Sequence, residues 1–275
     1  MELNYYKSLL IGIIQGITEF LPVSSSGHIV IAKNLFSIKS TGLLYEVFLH
    51  FGTFLSVVVV FRKEIISIIS SSFVGLIYII KKRNLNSDIE KNYNFRLGIF
   101  IIIATIPAGF IGILFKDILS EFFENVLFVS LALIFTGIIL YFTKYIKERG
   151  YGIKFFNSLL IGCAQAISII PGISRSGMTI SMGLFLGVKR DEAVKFSFFL
   201  SLPAIFGATI LESFDIFFYN LSNEELIQIG LAFLSAFFSG YFAINILMKI
   251  VMMGRFYLFS FYCFFIGILG IILSI

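Results

Sequence analysis

The sequence predicts an all-α polytopic membrane protein, one integral membrane domain over residues 1–275. Its predicted plan is two inverted-topology repeats, 1–150 and 151–275, each a re-entrant helix hairpin plus three transmembrane helices. Composition gives the class: 58% of residues are hydrophobic and 13% charged, against roughly 25% charged in soluble domains, and the mean hydropathy is +0.99. Continuous apolar runs near the spanning length of about 20 residues recur. They lack the alternation of a β-barrel. The repeat itself supplies the plan. Residues 8–28, SLLIGIIQGITEFLPVSSSGH, reappear at an offset of 150 as SLLIGCAQAISIIPGISRSGM at 158–178.

Taken in order, Ser8 to Gly12 match Ser158 to Gly162, Gln15 matches Gln165, and Ser24, Ser26 and Gly27 match Ser174, Ser176 and Gly177. Pro22 and Pro171 break both copies, one residue out of register. Apolar spans follow the first copy at 45–61, 96–115 and 122–143, and the second at 195–213, 225–248 and 254–274. The stretch 65–80 is short, serine-rich and bracketed by charges, which predicts an interfacial or partly inserted helix. Three spans between the hairpins is an odd number, so the second copy is predicted to enter from the opposite side. Inverted repeats with broken helices place their sites where the breaks meet.

Loop charge sets the orientation. The basic segment 81–96, Lys144, Lys147, Arg149, Lys154, Lys189, Arg190, Lys195, Lys249 and Arg255 are expected in the cytoplasm. Asp117, Glu121, Glu124, Glu212, Asp215, Glu224 and Glu225 are expected outside with both termini. Lys7, Lys33 and Lys39 run against that assignment. The net charge of +5 reads as the same bias, and no motif points to nucleic acid. Cys163 and Cys263 lie in apolar surroundings and read as core fillers. The N-terminus lacks the layout of a removable signal peptide.

Ionisable groups at membrane depth mark functional sites. Glu19 lies four residues after Gln15, on one helix face, and the two can offer oxygen ligands to a divalent cation such as Mg²⁺ or Ca²⁺. Glu46 is a further acid that can join that site. Ser24, Ser25 and Ser26 supply hydroxyls that either attack an electrophile or cap a helix start. His28, three residues past Ser25, can act as base or as nucleophile. His50, in YEVFLHFGT, has no comparable neighbours in sequence and is left without a role. Arg175 sits opposite Ser25 in the repeat, and its fork matches phosphate oxygens. A structural pair with Glu19 is the alternative. Ser174, Ser176 and Thr179 add hydroxyl donors for a bound anion. A carboxylate, a hydroxyl, a base and an anion clamp together are equipment for phosphoryl transfer to or from an amphiphile with a phosphate head.

QGITEFLPVSSSGH and PGISRSGMT, with KFSFFLSLPAIFGAT, resemble the undecaprenyl-diphosphate phosphatases of the bacitracin-resistance type, from about residue 5 to the C-terminus. The resemblance implies hydrolysis of undecaprenyl diphosphate, recycling of the lipid carrier for peptidoglycan and other wall polymers, and bacitracin tolerance. It implies a Mg²⁺ or Ca²⁺ requirement and a Q-x-x-x-E motif on Gln15 and Glu19. It also implies a catalytic serine and histidine on Ser25 and His28, an arginine on Arg175, and access from the extracytoplasmic side of the plasma membrane. The expected partners are the polyprenyl diphosphate, membrane lipids and, as a candidate, a second copy of the chain. A secondary transporter or flippase of an anionic substrate such as a polyprenyl phosphate is the competing reading. The acid-phosphatase-like lipid phosphatases are set aside: the residue six after Arg175 is Ser181, and no histidine follows His50.

Overall fold

Pro22 ends the first helix. A residue before proline is pushed out of the α region, and Leu21 is extended at ψ 145° directly after α1 (Tyr5–Phe20). After the turn at Val23 the chain re-enters a helix, α2 (Ser25–Leu35), with Ser24 Oγ accepting from Gly27 N at 3.2 Å. The second copy repeats this layout. Helix α7 (Phe155–Ile167) is followed by a turn and by α8 (Arg175–Phe185), whose N-cap Ser174 accepts from Gly177 N at 3.1 Å. Tyr5 and Phe155, and Ser25 and Arg175, open their helices 150 residues apart. Capping is thus the use both copies make of their first serine.

The computed structural model describes residues 4–35, 43–80, 92–115, 118, 122, 125–213 and 222–274. The first hairpin is followed by α3 (Leu43–Val60), α4 (Arg62–Ile80), α5 (Tyr93–Leu114) and α6 (Val126–Phe142), with a 3₁₀ turn at Thr143–Tyr145. The second is followed by α9 (Arg190–Ser213), α10 (Asn223–Met252), a 3₁₀ turn at Phe256–Leu258 and α11 (Phe259–Ser274). Among the described residues, five helical segments, 62–80, 93–114, 126–145, 223–252 and 256–274, are long and apolar enough to cross a membrane. The chain is an all-helical, multi-pass membrane protein. The acidic positions 117, 121, 124 and 215, the basic positions 33 and 39, and most of the basic segment 81–96 lie outside the described residues or side chains.

Small residues let the helices approach closely, which is how helices associate without a hydrophobic drive between them. A Cβ on Gly16 would stand 2.4 Å from Ala236 O, and one on Gly162 would stand 2.4 Å from Ala104 O. These contacts fix directions. Gly12 faces Ala232 and Gly16 faces Ala236, so α1 and α10 run parallel. Gly162 faces Ala104 and Ile169 faces Gly112, so α7 and α5 run parallel. Each hairpin's first helix therefore lies along a long helix of the other half. Helices α6 and α11 run antiparallel, with Gly137 against Phe264 and Gly267 against Ile134. Helices α1 and α3 run parallel, joined by Tyr45 Oη donating to Ser8 O and by Gln15 meeting His50.

The stretch expected as an interfacial helix over 65–80 is a helix of 19 residues that begins at Arg62, long and apolar enough to span. Only Phe61 separates it from α3, and the helical bonds continue through the joint: Phe61 N donates to Val57 O, and Ile65 N donates to Phe61 O. One residue cannot reverse a chain. Helix α3 alone covers about 27 Å, and α4 extends that rod rather than folding back along it. It then crosses the start of α5, where Asn94 Nδ2 donates to Ser67 Oγ at 2.7 Å and Phe95 covers Gly75.

Gly16→Leu and Gly162→Leu should each lower stability by about 1–3 kcal/mol through overpacking. Thermal unfolding in detergent will show this as a lowered melting temperature, whereas Gly207→Leu, with open space around its Cβ position, should leave it unchanged.

Candidate active site

The two broken hairpins touch at their tips. Ser176 Oγ donates to Leu21 O at 3.2 Å, and Gly172 N donates to Ser26 Oγ at 3.3 Å. Gly172 has φ +91°, and a Cβ there would stand 2.4 Å from Val129 O, so the second tip requires glycine for both its conformation and its fit. Thr136 of α6 supports that tip by accepting from Ser174 N at 3.1 Å and donating to Gly172 O at 3.3 Å. Thr136 drew no attention in the sequence, since a lone threonine in an apolar span usually bonds its own helix; it does that as well, to Ala132 O.

Glu19 lies at the junction, with only 6% of its side chain exposed. Arg175 Nη2 donates to Glu19 Oε1 in a direct ion pair. On the other oxygen, Ser25 Oγ donates to Oε2 at 2.7 Å and Gln15 Nε2 donates to it at 3.0 Å. His50 Nδ1 stands 3.9 Å from Oε2 and 3.2 Å from Gln15 Nε2. The carboxylate is therefore buried but satisfied by charge-assisted bonds, not a snorkelling surface acid. Arg175 keeps 20% of its side chain exposed and His50 keeps 41%, so the groups around Glu19 reach open space.

His28 does not pair with Ser25, although the two share α2. Its Nδ1 stands 2.8 Å from Ser24 O, and its Nε2 stands 2.8 Å from Tyr262 Oη on α11. The three-residue spacing correctly put the pair on one helix, but Glu19 lies closer to Ser25 because α1 ends directly beside the start of α2. The partner of the serine hydroxyl in this geometry is the Glu19 carboxylate, not an imidazole.

The remaining expected hydroxyls are largely engaged within the protein. Ser24 and Ser174 cap their helices and bond Ser26 and Ser176 at 3.1 and 3.3 Å. Thr179 donates to Arg175 O at 2.8 Å and meets Ser197 at 2.6 Å. They shape the two tips that carry Ser25 and Arg175. His50, left without a role from sequence, belongs to the site: α3 runs beside α1 and delivers it to Gln15.

The family model described as bacitracin resistance protein BacA matches residues 8–269. This chain belongs to the BacA family. Among its relatives are proteins named undecaprenyl-diphosphatase from Desulforapulum autotrophicum, 38% identical over 99% of this chain and 98% of the relative, and from Halothermothrix orenii, 39% identical over 99% of both. A third, of the same name, is from Methanosphaera stadtmanae, at 38% identity over 99% of both chains.

A cation at this BacA-family site would find oxygen donors in Gln15 and Glu19. Gln15 Oε1 is buried and has no hydrogen-bond partner among the described residues, which suits a hard ion such as Mg²⁺ or Ca²⁺. Glu46 lies one turn before His50 on α3, half-buried. Among the described residues no three His, Cys, Asp or Glu side chains converge as a preformed cage, and Gln15 and Glu19 are the residues that would hold such an ion.

Removing one member of a buried ion pair strands the other, at a cost of about 3 kcal/mol. Arg175→Met or Glu19→Leu alone should therefore lower the melting temperature, and the double variant Glu19→Leu/Arg175→Met should recover most of the loss. Thermal scans of the four proteins in detergent check the non-additivity.

Proposed function

We propose that this chain hydrolyses undecaprenyl diphosphate to undecaprenyl phosphate and inorganic phosphate at the junction of the two hairpins. The observation that carries the reading is Glu19, which binds a hydroxyl nucleophile, Ser25, on one oxygen and an anion-clamping arginine, Arg175, on the other. The name shared by the relatives supplies the substrate. Hydrolysis regenerates the monophosphate carrier for wall synthesis and removes the lipid that bacitracin binds.

The terminal phosphate of the substrate draws Arg175 away from Glu19, since a phosphate offers the guanidinium a bidentate partner with more charge. Glu19, relieved of its ion pair, is a stronger base. Ser25 Oγ attacks the terminal phosphorus, its proton passes to Glu19 Oε2, and the bond to the bridging oxygen breaks, releasing undecaprenyl phosphate. Water then attacks the phosphoserine and gives a proton to His28 Nε2, while Ser25 Oγ leaves and reclaims its proton from Glu19. Gln15 and Glu19 would hold a Mg²⁺ or Ca²⁺ ion, which would supply neutralisation of the diphosphate charge. Serine is favoured over histidine as nucleophile because Ser25 already donates to a carboxylate while His28 Nε2 is occupied by Tyr262.

The inverted-repeat topology belongs to this reading. Helix α3 runs parallel to α1. It runs antiparallel to α9, with Phe54 against Phe206 and Phe61 against Phe198. Helix α9 runs antiparallel to α8, with Thr179 at Ser197 and Gly183 at Ala193, and α8 runs antiparallel to α7, with Gly183 at Ile161. Following those three reversals, α7 opposes α1, which supports two hairpins entering from opposite sides. Helix α4, continuing from α3 without a reversal, then adds no change of direction. The loops carrying Lys144, Arg149, Lys189, Arg190 and Arg255 gather at one end, joined by Glu148 to Arg190, by Lys144 over the Tyr257 ring and by the Tyr151–Val188 bridge. By the positive-inside rule that end is cytoplasmic, and α1 enters from the outer face of the plasma membrane.

A phosphate-release assay on purified protein with C55 diphosphate, with and without chelator, tests the activity. Lipid flipping in liposomes with no phosphate released would favour a carrier instead. Arg175→Ala should lower turnover at least about a hundredfold, the scale of losing one oxyanion donor. His28→Gln should stall the second step and accumulate an acid-stable phospho-enzyme. An acid-labile phosphate on the wild-type protein would transfer the nucleophile's role to His28.

A further inference from the structure

We propose that Tyr262, on the last helix, is a positioning residue for His28. It donates to Nε2, which the Ser24 carbonyl leaves unprotonated by holding the ring proton on Nδ1, and so orients the imidazole. A carbonyl oxygen only accepts hydrogen bonds, so the 2.8 Å contact between His28 Nδ1 and Ser24 O places the proton on Nδ1. Nε2 is then an acceptor, and Tyr262 Oη, also at 2.8 Å, is its donor. Both ring nitrogens are thereby assigned, as in sites where the partner of one nitrogen decides what the other can do. The two ring planes lie 3° apart with centroids 5.5 Å apart, so the phenol also fixes the plane of the imidazole.

Two further features point the same way. Ser24 has φ +64°, a left-handed conformation that non-glycine residues rarely adopt, and its carbonyl accepts from both His28 N and His28 Nδ1. Its repeat mate, Ser174, is an ordinary cap at φ −77°, so the unusual backbone belongs to the copy that carries the histidine. On α11, the neighbouring Cys263 donates its thiol hydrogen to Pro22 O at 3.4 Å. Consecutive residues of α11 thus grip the first hairpin on both sides of its turn. Tyr262 itself is 42% exposed, which leaves it room to turn aside when water and a phosphoserine need Nε2.

This proposal rests on the role of His28 as proton acceptor, and its test separates the two. The full chain is purified in detergent as wild type, Tyr262→Phe, His28→Gln and the double variant. Without substrate, diethyl pyrocarbonate modifies bare imidazole nitrogen, and peptide mass spectrometry follows His28 and His50 separately. Tyr262→Phe should speed modification of His28 and leave His50 unchanged. Turnover should fall about tenfold, the worth of one hydrogen bond, at unchanged KM and melting temperature. In the His28→Gln background, Tyr262→Phe should cause no further loss. An unchanged His28 modification rate, or a full additional loss in the His28→Gln background, overturns the proposal. Full turnover by His28→Gln overturns the assignment of His28 itself and this proposal with it, even where the modification rate has registered the hydrogen bond.

Discussion

The contact between Glu19 and Arg175 is the constraint on which the rest of the molecule depends. It joins residues 156 positions apart, each at the broken end of a helix hairpin, deep in an apolar protein. A lone carboxylate or guanidinium at that depth carries a large desolvation cost. Paired with Arg175, and with Ser25 and Gln15 supplying further hydrogen bonds, the carboxylate is satisfied by protein groups. Everything that brings the two tips together serves this contact: the prolines that stop the first helices, the glycine at 172, the serine caps, and the close crossings of α1 on α10 and α7 on α5.

The same contact is the centre of the proposed mechanism. Without substrate, Arg175 pairs with the carboxylate that serves Ser25 as base in the proposed mechanism. In that mechanism an incoming phosphate would compete for the guanidinium, so that binding the anion and freeing the base would be one event. The coupling is local, between side chains that already touch, and needs no large domain motion.

Divergence between the copies is what turns a duplicated scaffold into a site. Ser25 and Arg175 occupy the same position of the repeat, and so do His28 and Met178, and Glu19 and Ile169. The first copy keeps the acid, the hydroxyl and the imidazole; the second keeps the clamp. Gln165, mate of Gln15, is buried with neither amide atom partnered, while Gln15 bridges Glu19 and His50. The scaffold is common to both halves and the polar contacts belong to one.

The sequence by itself determined the membrane class, the repeat, the positions of both hairpin breaks and most of the residues at their junction. Those follow from local physics: apolar runs of spanning length, proline against helix continuation, serine at helix starts, and the cost of charge in an apolar segment. Only the tertiary structure decided who touches whom. Ser25 turned to Glu19 instead of His28 because the end of α1 abuts the start of α2. His50 entered the site because α3 runs beside α1, and Tyr262 because the final helix closes over the first hairpin. Those pairings span up to 234 residues and arise from how helices pack, which no local spacing encodes. The stretch 65–80 was ambiguous for a related reason. Its composition suits a span, and only its near-continuous joint to α3 shows that it extends a helix already begun.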